Sequence, residues 1–366
     1  MRSLAVRSLS FRSFRNLARV DLDLGARINV VSGDNGQGKT NLLEGIYVLA
    51  TSRSFRTSRL ADLVQRGADV ASLRASIVDG ETVREQSVGL RAGVRAVRLD
   101  GRRPDTLAEY AVKTPAVVFH PGSMAISSGG GAERRKLLDR LALYLSPSSL
   151  ADADSYGRAV RARQRVLETR GDAAPDLEDW EDLVVRHGSA LSEARALATE
   201  RMVPALNEAF RRIGPDGASL SARYERSAPD SSEAFRAELR RLRVRDRLRR
   251  SATVGPHRDD LSLELGHMKV RGLASQGQHR AVVLSLALAE IQVIAAVRDV
   301  LPILLLDDVS SELDRFRTGA LFAALRDGRG QVVLTTTRPE IVDLASEAGS
   351  AERRDFRVVA GLITPD

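Results

Sequence analysis

One short segment carries the residue types of a phosphate-binding loop. Residues 33–40 are GDNGQGKT, and they come just after the apolar run at residues 28–31. Glycines at this spacing let backbone N–H groups converge on phosphate oxygens at the start of a helix. Lys39 would then bind the β- and γ-phosphates and the Thr40 hydroxyl would bind Mg²⁺. A plain glycine turn is the alternative, but every fixed position of the motif is present. The expected nucleotide-binding residues are Gly33, Asp34, Asn35, Gly36, Gln37, Gly38, Lys39, Thr40 and Asn41.

A pair of carboxylates follows a later apolar strand. Residues 303–306 are ILLL, and Asp307 and Asp308 come next. A buried strand that ends in acids delivers them to the sheet edge where a phosphate loop also lies. Asp307 suits Mg²⁺ and Asp308 suits the group that polarises an attacking water. Successive strand side chains point to opposite faces, so a glycosidase-type acid/base pair is excluded.

A third segment could bind a second anion. Ser275, Gln276, Gly277 and Gln278 precede a predicted helix that extends to about residue 297. A serine with free N–H groups at a helix N-terminus attracts anions. The same residues also make an ordinary helix cap. The position of the segment about one helix before the acidic strand favours the anion site.

The elements that would position these residues form two α/β halves separated by a helical insert. A helix over residues 39–50 follows the loop, and alternating residues from 70 to 120 predict antiparallel strands. Helical periodicity predominates over residues 134–250, and strands return after residue 253. The predicted division is an α/β lobe of residues 1–133 and 251–366 and a helical lobe of residues 134–250.

Composition limits the class of protein. The chain of 366 residues has no cysteine, which favours a reducing, cytoplasmic compartment, and no run of about 20 apolar residues. Its Arg- and Ser-rich N-terminus is similar to a transit peptide, but its alternating residues predict strands of the sheet instead. The net charge of +8 favours a polyanionic partner, although 52 of the 56 basic residues being arginine also suits a genome-wide composition bias.

Together, these motifs resemble a known family. The phosphate loop, the large insert, Ser275–Gln278, the acidic strand and Ser311–Asp314 are similar to the ATP-binding-cassette (ABC) ATPase plan of SMC-like DNA-maintenance proteins. Four segments resemble more closely the RecF family of recombination mediators. They are residues 51–57 (TSRSFRT), 255–260 (GPHRDD), 275–280 (SQGQHR) and 306–314 (LDDVSSELD).

The resemblance implies a fold, a ligand and partners. The fold would be an ABC-type, SMC-head-like P-loop ATPase with a mixed sheet, an antiparallel sheet and a helical insert lobe. ATP and Mg²⁺ would close a homodimer, each nucleotide lying between one subunit's loop and the other's Ser275–Gln278. Family members bind DNA at gaps and single-strand/double-strand junctions and help RecO and RecR place RecA, in repair, replication and SOS induction. Arg15 resembles an N-terminal arginine that related heads place near the nucleotide.

Some residues depart from the general cassette pattern. Asp308 stands where most cassettes have glutamate, which predicts slow hydrolysis, and Thr337 stands where transporters have histidine. Ser128–Gly131 imitates the transporter signature, and we expect it to be a flexible loop. A transporter subunit would not explain residues 255–260, and an SMC-type tether would need sustained heptads, which the insert lacks.

The sequence offers two candidate DNA-contacting segments. Residues 235–250 contain eight arginines, a pattern that also suits a solvated helix. The other segment carries Arg53, Arg56 and Arg59. Because aromatic residues make up 4% of the chain, we expect contacts with the DNA backbone more than base stacking, and therefore a steep salt dependence.

Overall fold

The computed structural model describes residues 2, 4–215, 217–308, 319, 330–339 and 353–366. The strands are β1 (Leu4–Phe14), β2 (Leu17–Asp23), β3 (Ile28–Ser32), β4 (Val70–Asp79), β5 (Thr82–Arg91), β6 (Val94–Leu99), β7 (Ala116–Phe119), β8 (Leu220–Glu225), β9 (Asp260–Leu265), β10 (Met268–Lys269), β11 (Ile303–Leu306), β12 (Val332–Thr336), β13 (Arg353–Val359) and β14 (Leu362–Pro365). The helices are α1 (Lys39–Thr51), α2 (Leu107–Lys113), α3 (Ala125–Ser128), α4 (Gly131–Leu145), α5 (Ser149–Arg170), α6 (Leu177–Ile213), α7 (Ser232–Arg241), α8 (Arg243–Arg249) and α9 (Gln276–Arg298).

The first compact unit comprises Met1–Met124, Arg212–Gly214 and Arg280–Asp366 and is built on two sheets. The strand order β14-β13-β3-β12-β11-β7 forms the larger sheet, which is parallel except for the β13–β14 hairpin. The order β2-β1-β4-β5-β6 forms an antiparallel sheet. The predicted combination of a mixed sheet and an antiparallel sheet is confirmed.

Helix α1 contacts strands of both sheets and is buried along most of its length. Its close approach to β1 depends on Gly45, since a Cβ atom there would lie 2.4 Å from the Phe11 ring. Side chains of α1 and of both sheets form one apolar core. This packing fixes the start of α1, and with it the loop before Lys39, against the parallel sheet.

The second compact unit comprises Ala125–Arg211 and Pro215–His279. It contains α3 to α8 and an antiparallel sheet of order β10-β9-β8. Its boundaries differ from the predicted lobes, because residues 125–133 and 251–279 fall within it. The physical reason is pairing: β8 inside the predicted helical lobe pairs with β9 outside it, and Arg134 binds Asp260 through two hydrogen bonds of 2.6 and 2.8 Å.

Two further sequence expectations can be compared with helices of the structure. The Ser128–Gly131 segment, expected to be a flexible loop, is the end of α3 followed by the N-cap of α4, Gly130. Arg280 and Glu290 interrupt the apolar residues of α9, as expected, although by length and composition this helix, among the described residues, could cross a membrane. Because 61% of its apolar window is buried inside the protein, α9 has the character of a core helix.

Candidate nucleotide-binding site

The loop that precedes α1 depends on glycines in conformations that other residues avoid. Gly33, Gly36 and Gly38 have φ of 149°, 80° and 119°. A Cβ atom on Gly33 would lie 2.5 Å from the carbonyl oxygen of Val358, and one on Gly38 would lie 2.9 Å from the Asn16 side chain. The backbone therefore needs glycine at these two positions for space as well as for φ.

Lys39 lies inside the curve of this loop. Its ammonium donates to the carbonyl oxygens of Gly33 at 2.6 Å and Asp34 at 2.8 Å, and 6% of the residue is exposed. Burial lowers the pKa of Lys39, while the charges of Asp308, Asp307 and Asp34 oppose that shift. A buried ammonium at the start of a helix is suited to a polyphosphate, which would replace these carbonyl partners with anionic oxygens.

Asp307 is linked to the loop through a hydroxyl. Thr40 Oγ1 donates to the Asp307 carboxylate and lies 2.9 Å from each of its oxygens. On the other side, Thr335 Oγ1 donates to Asp307 at 2.8 Å and accepts from the Asp308 N–H at 2.9 Å. The sheet order explains this meeting, because β12 lies between β3 and β11 and all three are parallel.

The Thr40–Asp307 pair fits a magnesium ion. Hydroxyl and carboxylate oxygens are hard ligands of the kind Mg²⁺ prefers, and the ion takes its remaining ligands from phosphate and water. Burial raises the pKa of Asp307, and the hydrogen bonds from Thr335 and Thr40 oppose that shift. Asp307 is 4% exposed, and these two hydrogen bonds partly offset the cost of burying its charge.

Asp308 marks a change in backbone direction at the end of β11. Its φ of 51° is in the left-handed region, which is uncommon for a residue other than glycine. Such positions concentrate at functional sites. The following segment, Ser311–Asp314, lies outside the described residues, so the place in an ABC ATPase site that its resemblance implies stays a prediction.

Arg15 contacts α1 in place of the loop. Its guanidinium binds Glu44 through two hydrogen bonds of 2.9 and 2.8 Å and donates to the Asp62 carbonyl oxygen at 2.7 Å. Glu44 is fully buried and also accepts from Ser54 and Arg56. In the described structure, Arg15 therefore binds α1 through Glu44, and its expected place near the nucleotide stays a prediction.

Three residues join this site that the sequence did not single out for it. Arg56 donates to Asn41 at 2.8 Å, and its charge opposes the rise that burial causes in the pKa of Asp307. Asn16 accepts from Asn41 at 2.7 Å and donates to the main-chain oxygen of Gln37 at 3.2 Å. Thr335 could have been found from sequence, because it is a polar residue at the end of a buried strand, as Asp307 is.

The Ser275–Gln278 segment lies in the second unit and forms a reciprocal helix cap. The Ser275 N–H donates to Gln278 Oε1 at 2.8 Å, and the Gln278 N–H donates to Ser275 Oγ at 3.2 Å. Ser275 and Gln276 are exposed, and Gly277 and Gln278 are half-buried. The segment therefore forms the ordinary helix cap that the sequence also allowed. An anion would have to bind at this exposed helix N-terminus, where the cap already orients the side chains of Ser275 and Gln278.

Residues 255–260 form a buried polar junction in the second unit. Asp259 is fully buried and accepts from the Ser227 N–H at 2.7 Å, from Ser192 Oγ at 3.1 Å and from the Tyr224 hydroxyl. Arg195 donates to the Pro256 carbonyl oxygen at 2.7 Å. These contacts give the segment a packing role in the described structure.

Comparison with known proteins places the chain in a family. Residues 5–355 match the family described as the RecF/RecN/SMC N-terminal domain. The DNA replication and repair protein RecF of Anaeromyxobacter sp. (strain Fw109-5) is 38% identical, with 98% of each chain covered. The RecF protein of Myxococcus xanthus (strain DK1622) is 36% identical, with 93% of this chain and 92% of the relative covered.

Solved structures agree with this placement. The structure of the recombination mediator protein RecF with ATP in the RecFOR pathway superposes with a TM-score of 0.86 at 25% identity, covering 100% of this chain and 98% of that one. An Smc head domain from Pyrococcus furiosus superposes with a TM-score of 0.56 at 15% identity, covering 99% and 96%. The fold is thus that of an ABC-type, SMC-head-like ATPase, and the chain belongs to the RecF family of DNA replication and repair proteins.

Proposed function

We propose that this protein is an ATP-dependent, DNA-binding recombination mediator that acts as a slow switch at gapped or single-strand/double-strand junction DNA. The observation that carries the proposal is the Thr40–Asp307 hydrogen bond beside the buried Lys39 ammonium. It brings the loop at residues 33–40 and the acidic end of β11 together in one unit, as binding of ATP with Mg²⁺ would need. Family membership supports the DNA-repair role.

The chain's own residues divide the work of nucleotide binding. The N–H groups of the loop at residues 33–38 would hold the phosphates, and Lys39 would neutralise their charge. Thr40 and Asp307 would hold Mg²⁺, and Asp308 would orient the attacking water. When bound, ATP would supply the phosphoanhydride bond, and Mg²⁺ would neutralise charge on its phosphates.

Hydrolysis is expected to be slow. Asp308 is one methylene shorter than the glutamate typical of cassettes, so it would hold the water less firmly. Nucleotide binding would then matter more than turnover, with DNA raising the rate. A steady-state rate similar to that of a fast translocating motor would contradict this part of the proposal.

The proposed switch is a homodimer closed by ATP. The capped N-terminus at Ser275–Gln278 has exposed groups suited to a phosphate, and a second copy of the chain would supply that phosphate on its loop. Closing two subunits on two nucleotides would couple ATP binding to the DNA-bound state. RecO and RecR would then help RecA assemble on the same DNA.

The decisive experiment measures molecular mass in solution with and without ATP. The wild-type protein should dimerise with ATP, whereas Lys39→Ala and Ser275→Arg should stay monomeric. Ser231→Arg is the matched control, because Ser231 also caps a helix of the second unit, α7, with its side chain accepting from the Ala234 N–H. It should dimerise as the wild type does.

The outcomes separate the parts of the proposal. If ATP produces no dimer of the wild-type protein, the two-site closure is wrong. If Ser275→Arg dimerises as well as Ser231→Arg, the assignment of Ser275–Gln278 is wrong. RecA assembly on gapped DNA with RecO and RecR, measured with wild type and Lys39→Ala, tests the mediator role independently; equal assembly with both would refute it.

A further inference from the structure

A hairpin near the C-terminal end of the sequence forms hydrogen bonds with the phosphate loop. The Ala360 N–H donates to the side-chain Oε1 of Gln37 at 2.6 Å, and the Gly361 N–H donates to its main-chain oxygen at 2.9 Å. The Asn16 side chain donates to that same main-chain oxygen at 3.2 Å. Gln37 in the loop is therefore bound by the turn between β13 and β14 and by the turn between β1 and β2.

The β13–β14 turn has the geometry that frees its N–H groups for this contact. Ala360 and Gly361 have φ of 51° and 80°, and they lie between the paired residues Val359 and Leu362. Two consecutive residues with positive φ are typical of a two-residue type I′ hairpin. The N–H groups of the two turn residues lie beyond the last pair of the ladder, so they are available to the loop.

The contact is too close for any side chain at Gly361. A Cβ atom there would lie 2.4 Å from the main-chain oxygen of Asn16. Closer to the sheet, Val358 approaches the first glycine of the loop, Gly33, as described above. The hairpin and the loop are thus packed backbone against backbone at two points.

This packing sets the direction of a phosphate donor. In a planar trans peptide the carbonyl group and the following N–H point in opposite directions. Because the Gln37 carbonyl accepts from the hairpin, the Gly38 N–H is directed away from it. N–H groups of such a loop are the groups that hold phosphates.

We propose that the β13–β14 hairpin positions the phosphate loop for nucleotide, with Gly361 and Gln37 as its positioning residues. This inference rests on the proposed function, since it concerns ATP at that loop. It assigns to the C-terminal hairpin a role in nucleotide affinity that is separate from closing the parallel sheet.

The chain contains a matched control for this proposal. The turn between β5 and β6 is also an Ala-Gly pair, with φ of 48° at Ala92 and 77° at Gly93. A Cβ atom on Gly93 would have no heavy atom within 4 Å. Gly93→Ala and Gly361→Ala therefore impose the same backbone strain, and only the second also displaces Asn16 and the loop.

The test compares the two variants by titration with a fluorescent ATP analogue and by thermal unfolding. The backbone strain should lower the free energy of unfolding by a similar amount in both variants. Gly93→Ala should bind the analogue with wild-type affinity, and Gly361→Ala should bind about tenfold more weakly or worse. The hydrolysis rate at saturating ATP should change less than about twofold, because the positioning affects binding more than the water at Asp308. Equal affinities for the two variants would overturn the proposal.

A second variant keeps the test decisive if Gly361→Ala does not fold. Gln37→Met preserves side-chain length and removes the Oε1 acceptor, and it should weaken binding about threefold to tenfold. Wild-type affinity in Gln37→Met, without a folded Gly361→Ala, would also refute the proposal. If the wild-type protein itself does not bind the analogue, the proposed function fails instead, so the two failures are distinguishable.

Discussion

At the scale of single residues, one threonine hydroxyl forms hydrogen bonds with two aspartates of the site. Thr335 donates to Asp307 and accepts from the Asp308 N–H, so it fixes the carboxylate and the start of the left-handed turn together. Neither contact involves nucleotide directly. Thr335 would therefore act through the two aspartates, as residues behind a metal ligand generally do.

Replacing Thr335 with valine tests this role. Valine keeps the shape of threonine and removes the hydroxyl, so the pKa of Asp307, already raised by burial, should rise further. We expect Mg²⁺ affinity in the presence of ATP to fall about tenfold. The acidic limb of the pH profile for hydrolysis should move to higher pH. Thr199→Val removes a buried hydroxyl that, among the described residues, bonds only the Arg195 carbonyl oxygen of α6, and it should leave both measurements unchanged. An unchanged Mg²⁺ affinity in Thr335→Val would contradict the role.

At the scale of elements, the sequence predicted what short-range patterns determine. The loop, α1, β11 and β12 follow from apolar runs and motif spacing. The alternating residues of β4 to β6 indicated hairpins. Strand β8 was missed because only Leu220 in it is fully buried and its partner, β9, lies far along the chain. Asn16 and Arg56 were missed as parts of the site for the same reason, since only the folded chain brings them to Asn41.

His257, in the junction at residues 255–260, hydrogen-bonds to two other segments of the second unit. Its protonation should make the stability of this unit depend on pH. His257 Nδ1 accepts from the Tyr156 hydroxyl of α5 at 2.6 Å, and Nε2 donates to the Ala252 carbonyl oxygen at 2.9 Å. Both ring nitrogens are thus used by the neutral imidazole. Burial lowers the pKa of His257 below its ordinary value. If Nδ1 were protonated, it could no longer accept the hydrogen bond from the Tyr156 hydroxyl.

The sign of the pH effect follows from that lowered pKa. Below about pH 6.5 the unfolded chain takes up the proton before the folded chain does, so stability falls as pH falls toward the folded-state pKa. We expect the second unit to lose on the order of 1 kcal/mol between pH 7.5 and 5.5. Urea unfolding of His257→Gln should show a smaller loss over this range, whereas the exposed His267→Gln should match the wild type. Identical pH slopes in wild type and His257→Gln would rule out this linkage.

At the scale of the whole molecule, a net charge of +8 does not locate a DNA surface, because many arginines are neutralised. Within residues 235–250, five of the eight arginines pair with acids: Arg236, Arg240, Arg241, Arg243 and Arg247. Of the other three, Arg245 interacts electrostatically with Glu238, whereas Arg249 and Arg250 are exposed and form no ion pair with the part of the chain that the structure describes. These two cations are the better candidates for phosphate contact.

Two double variants with the same change in net charge distinguish DNA contact from a solvated helix surface. Arg249→Gln/Arg250→Gln removes exposed cations, and Arg240→Gln/Arg241→Gln removes cations already paired with Glu178 and Glu238. Binding of gapped DNA in the presence of ATP should weaken at least about tenfold for the wild type between about 50 and 200 mM salt, since phosphate contacts release counterions. The first double variant should bind more weakly and with a shallower salt slope by about 2, one unit for each lost contact. The second should change less, because Glu178 and Glu238 already neutralise its arginines. If both bind DNA with the wild-type slope, α7 and α8 present a solvated surface, and the segment with Arg53 and Arg59 becomes the candidate for DNA contact.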